Sequence, residues 1–287
     1  MSNFPCRNVR SVDERNKLWY NAYQKGKVLL CDAALKAGEK QMNYEAYKNM
    51  PNAAVPPEIA EALQNGGSIH LTPFEDRNLV LADAALQAEA GYGRMDNGDY
   101  AVSMFCPMPG VTREMIEWWF WWHPQADERY QLWFPGEHFK IKTDAKDRDY
   151  FRSKDLPAFR DNTQYPVERV GGIRMPLRID FVTPQEFGFS QELLREKRVA
   201  CVVCGHVGAF RGLIYHTEMA HISFEREDGL YMVSRFWIGK LLKNSVLRKA
   251  VLTEKTARGM AEHCCVEYRN LAAKLPQLYR EVNGRAD

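Results

Sequence analysis

Residues 256–282 read TARGMAEHCCVEYRNLAAKLPQLYREV, and this stretch predicts a long helix near the end of the chain. Its apolar residues recur every three or four positions, as they do on the buried face of a helix. They are Met260, Val266, Leu271, Leu275, Leu278 and Val282. A helix with one apolar face needs a second layer of structure to cover that face.

Seven segments before this helix are predicted to be strands, because their apolar residues alternate or run between Gly and Pro breaks. They are 99–105, 129–134, 165–170, 175–182, 199–207, 213–225 and 230–238. A run of antiparallel strands followed by one long helix predicts an α+β fold of the helix-grip type, in which the sheet curls around the terminal helix. A cavity between the concave sheet and the helix suits a mid-sized apolar ligand.

A second helix is predicted at 112–123, TREMIEWWFWWH, where Thr112 can cap the first turn and Pro124 discourages continuation. Five successive aromatic residues cannot all lie on one face, so this helix must be packed on most of its sides. His123 at its end is therefore carried into the protein interior.

The chain is predicted to have two domains. Residues 1–95 form a small, mainly helical domain, in which Ala-rich helical stretches near 16–38 and 79–90 flank a proline-bearing loop at 49–57. The segment 91–98 reads as a turn-rich linker. The second domain, 96–287, contains the predicted sheet and both helices named above.

Composition excludes several functional classes. The 287 residues carry 39 Lys and Arg against 37 Asp and Glu, so a net charge of +2 gives no general reason to bind nucleic acid. The apolar stretches are shorter than the ~20 residues that a membrane helix needs. The N-terminus has no secretory signal pattern, which predicts a cytoplasmic protein. Seven scattered cysteines, an odd number, predict reduced thiols rather than a disulfide framework.

Several side chains could bind a metal ion together. His263 and Glu267 lie four residues apart, so both leave the same face of the terminal helix. Within the strand-like segment YPVERV, one of Glu168 and Arg169 must point inward. Two imidazoles, one of them from His123, and two carboxylates would suit zinc. Each residue also has an ordinary structural interpretation, as a surface ion pair, a core histidine or an edge-strand carboxylate.

Five stretches together resemble the 2,4-diacetylphloroglucinol hydrolase and phloretin hydrolase family of zinc-dependent carbon–carbon bond hydrolases. They are MPGVTREMIEWWFWWH (108–123), RYQLWFPGEH (129–138), VERVGG (167–172), FVTPQEFGF (181–189) and the segment 228–239, which ends in SRFWIG. The resemblance covers most of the chain. It implies a small N-terminal dimerisation domain, and hence a homodimer, followed by a catalytic helix-grip domain of the birch-pollen-allergen type.

Carried over by position, the family's zinc ligands fall on His123, Glu168, His263 and Glu267, and its proton-handling histidine falls on His221. Asp155 remains an alternative to Glu168, because the segment 140–164 that contains it is longer than the family pattern needs. His216 and His206 remain alternatives to His221. A histidine with its ordinary pKa of about 6.5 could deliver a proton to the ring carbon of a substrate.

The resemblance implies hydrolysis of the bond between an acyl group and a phloroglucinol-type ring, with Zn²⁺ as cofactor and an acylated polyphenol as the small-molecule substrate. The competing hypothesis is a carrier without catalytic activity, since helix-grip domains also bind apolar ligands without altering them. A carrier would not need the four metal-binding side chains. The sequence does not specify which acyl group is preferred.

Overall fold

The computed structural model describes residues 44–64, 66, 69–147, 151 and 161–284. Contacts divide the chain into two compact units, one comprising 43–279 and the other 1–42 with 280–287. The helix predicted at 16–38 lies outside the described residues. The N-terminal domain at 1–95 and its role in dimerisation therefore stay predictions.

Nine antiparallel strands form one sheet within the described residues. The strands are β1 (Gly91–Arg94), β2 (Tyr100–Pro109), β3 (His138–Lys140), β4 (Asn162–Gln164), β5 (Val167–Val170), β6 (Ile173–Phe181), β7 (Val199–Ala209), β8 (Ile214–Arg226) and β9 (Gly229–Ile238). Their order is β1-β2-β9-β8-β7-β6-β5-β3, and β4 pairs with β6.

Ten α-helices accompany the sheet in the same residues. They are α1 (Tyr44–Lys48), α2 (Pro57–Gln64), α3 (Leu79–Ala82), α4 (Ala84–Gln87), α5 (Arg113–Trp122), α6 (Asp127–Trp133), α7 (Pro184–Phe187), α8 (Gln191–Glu196), α9 (Ser245–Val251) and α10 (Glu254–Asn283). The predicted tryptophan helix is α5, and the hydroxyl of Thr112 accepts from the backbone N–H of Met115 as predicted. Among the described residues, no helix has the length and apolar character needed to cross a bilayer.

The two faces of the sheet have different neighbours, because successive side chains of a strand point to opposite faces. On β8, Met219 and His221 line a cavity that Met260 of α10 also lines. Ala220 and Ile222 point the other way, into an apolar core with residues of α3, α7, β7 and β9. The sheet thus holds α10 and the cavity on one face, and the predicted α+β helix-grip fold is confirmed.

Two local predictions are wrong. The segment 129–134, predicted as a strand, belongs to α6 (Asp127–Trp133). A short apolar run is compatible with either structure, and here the acidic residues Asp127 and Glu128 stabilise a helix N-terminus. The segment 91–98, predicted as a linker, begins with the edge strand β1, which pairs with β2.

Helix α10 passes very close to the hairpin that joins β5 to β6. A Cβ atom on Gly259 would lie 2.5 Å from the Cα of Gly171 and 2.9 Å from its backbone nitrogen. Gly171 itself has a φ of 57°, in the left-handed region that favours glycine. This contact between two glycines brings the start of α10 to β5, the strand that contains Glu168.

Candidate metal centre and cavity

Four side chains capable of binding metal converge where β3, β5 and α10 meet. His138 of β3 is the register partner of Glu168 in β5, while His263 and Glu267 lie one turn apart on α10. The Nε2 atom of His138 is 3.3 Å from Nε2 of His263. The same nitrogen is 3.6 Å from Oε2 of Glu168 and 3.7 Å from Oε2 of Glu267.

This cluster offers two imidazole nitrogens and two carboxylates, a donor set that zinc accepts in proteins. Within the described part of the chain, His138, His263 and Glu267 form the single group of three such side chains whose ligand atoms all lie within 4.8 Å of one another. Glu168 joins this group through its approach to His138.

Burial pushes each of these groups toward its neutral form. It lowers the pKa of His138 well below the ordinary value, and it lowers the pKa of His263 to about 4. Burial first, and the neighbouring Glu168 second, raise the pKa of Glu267 well above its ordinary value. Neutral imidazoles are the form that binds a metal, and a cation would stabilise the buried carboxylates in their charged form.

Helix α6 holds two of the clustered side chains in place. The hydroxyl of Tyr130 donates to Oε2 of Glu168 at 2.6 Å. The Tyr130 ring also stacks on the ring of His138, with centroids 4.2 Å apart and planes 9° apart. Both contacts fix the orientation of a donor group, as the neighbours of metal ligands generally do.

Two hydrogen bonds attach α6 to α10. The indole N–H of Trp133 donates to the carbonyl oxygen of Glu267 at 2.9 Å. Nζ of Lys274 donates to the carbonyl oxygen of Leu132 at 2.9 Å, and Lys274 is only 3% exposed. Because this carbonyl lies in the last turn of α6, where helix carbonyls lack partners, the lysine caps the helix.

All four predicted metal ligands, His123, Glu168, His263 and Glu267, line one cavity, and three of them, Glu168, His263 and Glu267, also lie around His138. His123 lines the cavity as well, and its Nδ1–H donates to the carbonyl oxygen of Trp119 at 2.7 Å, which leaves Nε2 as the nitrogen that could bind a metal. His138 is a further candidate ligand, which the sequence did not single out. Asp155, the alternative to Glu168, lies outside the described residues.

Glu168 and Arg169 point to opposite sides of β5, as the strand pattern predicts. Glu168 faces the cavity, whereas Arg169 pairs with Glu137 at 3.1 Å and is partly exposed. The inward-facing residue of this pair is therefore the carboxylate.

The cavity beside the cluster has mainly apolar walls. The apolar side chains come from α5, the sheet, the segment after β3 and α10, namely Phe120, Ile141, Ile179, Phe181, Met219 and Met260. Apolar walls combined with a group of convergent polar side chains are the usual composition of a small-molecule site.

His221 lines the same cavity and has a fixed orientation. Its Nδ1 lies 2.8 Å from Oγ of Ser234, its register partner on β9, and Ser234 also hydrogen-bonds with the thiol of Cys264. Burial lowers the pKa of His221 to about 3, so the ordinary pKa expected from the sequence is wrong. The imidazole is neutral at pH 7.

The two alternative histidines do not line this cavity. Nδ1 of His216 lies 2.6 Å from Oγ1 of Thr217. Nδ1 of His206 lies 2.6 Å from Oε2 of Glu218, at the opposite face of the sheet from His221. Of the three candidates, His221 is the one that a ligand in the cavity would contact.

Comparisons with known proteins agree with the resemblance noted in the sequence. A 2,4-diacetylphloroglucinol hydrolase of Pseudomonas protegens is 33% identical over 276 residues, covering 85% of this chain and 88% of that protein. A phloretin hydrolase of Eubacterium ramulus is 31% identical over 257 residues, covering 85% of this chain and 91% of that protein.

Solved structures give weaker matches. Protein Ms6760 of Mycobacterium smegmatis matches with a TM-score of 0.35 and 10% identity, covering 62% of this chain and 90% of that one. SA2116 of Staphylococcus aureus matches with a TM-score of 0.35 and 11% identity, covering 65% of this chain and 99% of that one.

The family model of the DAPG hydrolase PhiG domain matches residues 71–280. This match and the identities to the two hydrolases show that the chain belongs to the DAPG hydrolase family.

Proposed function

We propose that this protein is a zinc-dependent hydrolase that cleaves the carbon–carbon bond between an acyl group and a phloroglucinol-type ring. The observation that carries the proposal is the convergence of Glu168, His263 and Glu267 on Nε2 of His138, within 3.3–3.7 Å. This cluster lies beside an apolar cavity that also presents His221. The names of the two hydrolase relatives support the type of substrate.

In this proposal His138, Glu168, His263 and Glu267 would hold the metal ion, whereas the sequence-based set has His123 in place of His138. The donor set fits zinc or a neighbouring divalent metal. When bound, such an ion polarises a carbonyl oxygen and makes water more acidic. Two anionic carboxylates would offset much of the ion's charge, so water acidification should be weaker than in a site of three histidines.

A protein base near the attacking water is therefore needed, and His221 supplies one. Because its imidazole is neutral, the nitrogen that faces the cavity can accept a proton from water while the oxygen of that water bonds to the acyl carbon. The bond from acyl carbon to ring carbon then breaks, and its electron pair goes to the ring. The resulting imidazolium returns the proton to the ring carbon, which yields a carboxylic acid and the free phenol.

The substrate assists this step. A polyhydroxylated ring can tautomerise so that a ring ketone flanks the acyl group, and the departing carbanion then becomes a stabilised enolate. The neutral His221 thus acts first as a base and then as an acid, in place of the direct proton donor expected from the sequence.

We also propose that the enzyme is a cytoplasmic homodimer.

Incubation of the purified protein with diacetylphloroglucinol and with phloretin tests the proposal. The products would be followed by chromatography, and bound metal would be measured in the same sample. We expect release of a carboxylic acid and a deacylated phenol from at least one ketone. Binding of both ketones without turnover in zinc-loaded protein would contradict an enzyme and favour the carrier hypothesis.

A further inference from the structure

Tyr268 presents a buried polar group whose role is not explained by the cluster or by His221. The residue is 1% exposed and lines the cavity, but its hydroxyl has no hydrogen-bond partner among the described residues. Buried hydroxyls in proteins are nearly always hydrogen-bonded. Other buried side-chain nitrogens without a partner occur in the described residues, but none of their residues lines the cavity.

The position of the Tyr268 ring is fixed on two sides. The ring of Trp133 meets it edge-on, with centroids 5.5 Å apart, and the ring of His221 lies against it with centroids 4.7 Å apart. The tyrosine also directly follows Glu267 on α10. Tyr268 therefore lines the cavity directly beside the proposed proton-transfer residue.

We propose that the hydroxyl of Tyr268 donates a hydrogen bond to an oxygen atom of the substrate. This oxygen is attached to the ring carbon next to the one whose bond to the acyl group is cleaved. This inference rests on the proposed function. Because the rings of Tyr268 and His221 are in contact, the two residues would contact neighbouring atoms of one bound ligand. His221 delivers its proton to the ring carbon, so the tyrosine hydroxyl reaches the oxygen on the adjacent ring carbon.

This hydrogen bond would strengthen as the reaction proceeds. When the carbon–carbon bond breaks, its electron pair delocalises onto the adjacent ring oxygen, which gains negative charge. A donor fixed in a water-poor site stabilises such charge without having to reorient. Tyr268 keeps its proton throughout, and the proton that reaches the ring carbon comes from the attacking water through His221.

The substitution Tyr268→Phe tests this role, because it removes the oxygen and leaves the ring that packs on Trp133 and His221. We expect kcat/KM to fall roughly a hundredfold, as it does when one such donor is removed. The dissociation constant for phloroglucinol, measured by calorimetry, should rise about tenfold. Zinc content should stay unchanged, and Tm should stay equal or rise, since the lost hydroxyl had no protein partner.

Tyr92→Phe is the matched control. The Tyr92 hydroxyl is also buried, but it lies 3.0 Å from Oε1 of Glu254 and 3.3 Å from the carbonyl oxygen of Leu63, away from the cavity lining. We expect this variant to show the opposite pattern, with a lower Tm and unchanged kcat/KM.

Two results would overturn the role of Tyr268. One is a Tyr268→Phe variant that turns over substrate and binds phloroglucinol like the natural protein. The other is a loss of activity together with a clearly lower Tm, because that would assign the hydroxyl to folding. If the natural protein hydrolyses neither ketone, the proposed function fails, while the phloroglucinol affinities of the two proteins still test the hydrogen bond.

Discussion

His138 and His123 are two histidines of one aromatic core, and our proposal gives them different roles. His138 places Nε2 among two carboxylates and a second imidazole, whereas His123 has its Nδ1 committed to the carbonyl oxygen of Trp119. Both are almost fully buried, at 1% and 2% exposure, so burial alone does not distinguish them. Their neighbours do, because those of His138 come from distant parts of the chain, whereas Trp119 lies only four residues before His123.

Replacing each histidine by alanine separates these roles. His138→Ala should weaken zinc binding by more than about a hundredfold, because it removes a ligand and not merely a neighbour of one. His123→Ala should keep its full zinc content. Metal analysis of the dialysed proteins measures the zinc content of both variants, and circular dichroism checks that each variant is folded. Equal zinc content in His138→Ala and the natural protein would refute this assignment.

Ser234 is predicted to position His221. In the neutral imidazole, an Nδ1–H that donates to Oγ of Ser234 leaves the other nitrogen free to accept a proton. Ser234→Ala removes this preference, so we expect kcat to fall on the order of tenfold with little change in KM or zinc content. Ser234→Thr, which keeps the hydroxyl, should recover most of the activity. Equal losses in both variants would point to packing instead.

At the scale of elements, α6 contacts the proposed metal centre, and it is also the element that the sequence mispredicted. Tyr130 and Trp133, one turn apart on this helix, contact Glu168 and the backbone of Glu267. Read as a strand, the same segment would place these side chains on alternate faces. A segment of seven residues is too short for its apolar pattern to distinguish a helix from a strand.

The contact between Gly259 and Gly171 sets the position of α10 against the hairpin that contains Glu168. An alanine usually favours a helix by about 1 kcal/mol over glycine. Gly259→Ala should nevertheless lower the free energy of unfolding by about 1–3 kcal/mol, because its Cβ would lie 2.5 Å from the Cα of Gly171. Denaturant unfolding measures this change, and metal titration should show weaker zinc binding.

Glu262→Ala is the control for that experiment. Its carboxylate pairs with Arg258 on the same exposed face of α10, with 43% of each side chain exposed. We expect a change within about 0.5 kcal/mol, as for most surface substitutions. A Gly259→Ala variant as stable as Glu262→Ala would show that the helix can move away from the hairpin at little cost.

At the scale of the whole molecule, long periodic segments were predictable and short non-local pairings were not. The terminal helix extends over Glu254–Asn283, close to the predicted 256–282, because its apolar face repeats over seven turns. His263, Glu267, Glu168 and His221 lie in such segments, and in the structure they line one cavity. His138, a ligand in our proposal, was not singled out because it sits in a three-residue strand whose partner is 30 positions away, a pairing that local sequence does not encode.

Stoichiometric reconstitution with zinc tests the central claim, that the cluster around His138 binds the metal on which hydrolysis depends. Chelator-treated protein would be titrated with Zn²⁺ while zinc binding and hydrolysis of diacetylphloroglucinol are measured in the same samples. We predict no turnover in the stripped protein and a recovery of activity that reaches its plateau at one zinc per chain, with no recovery in His138→Ala. Full activity in stripped protein that contains no measurable metal would contradict the account.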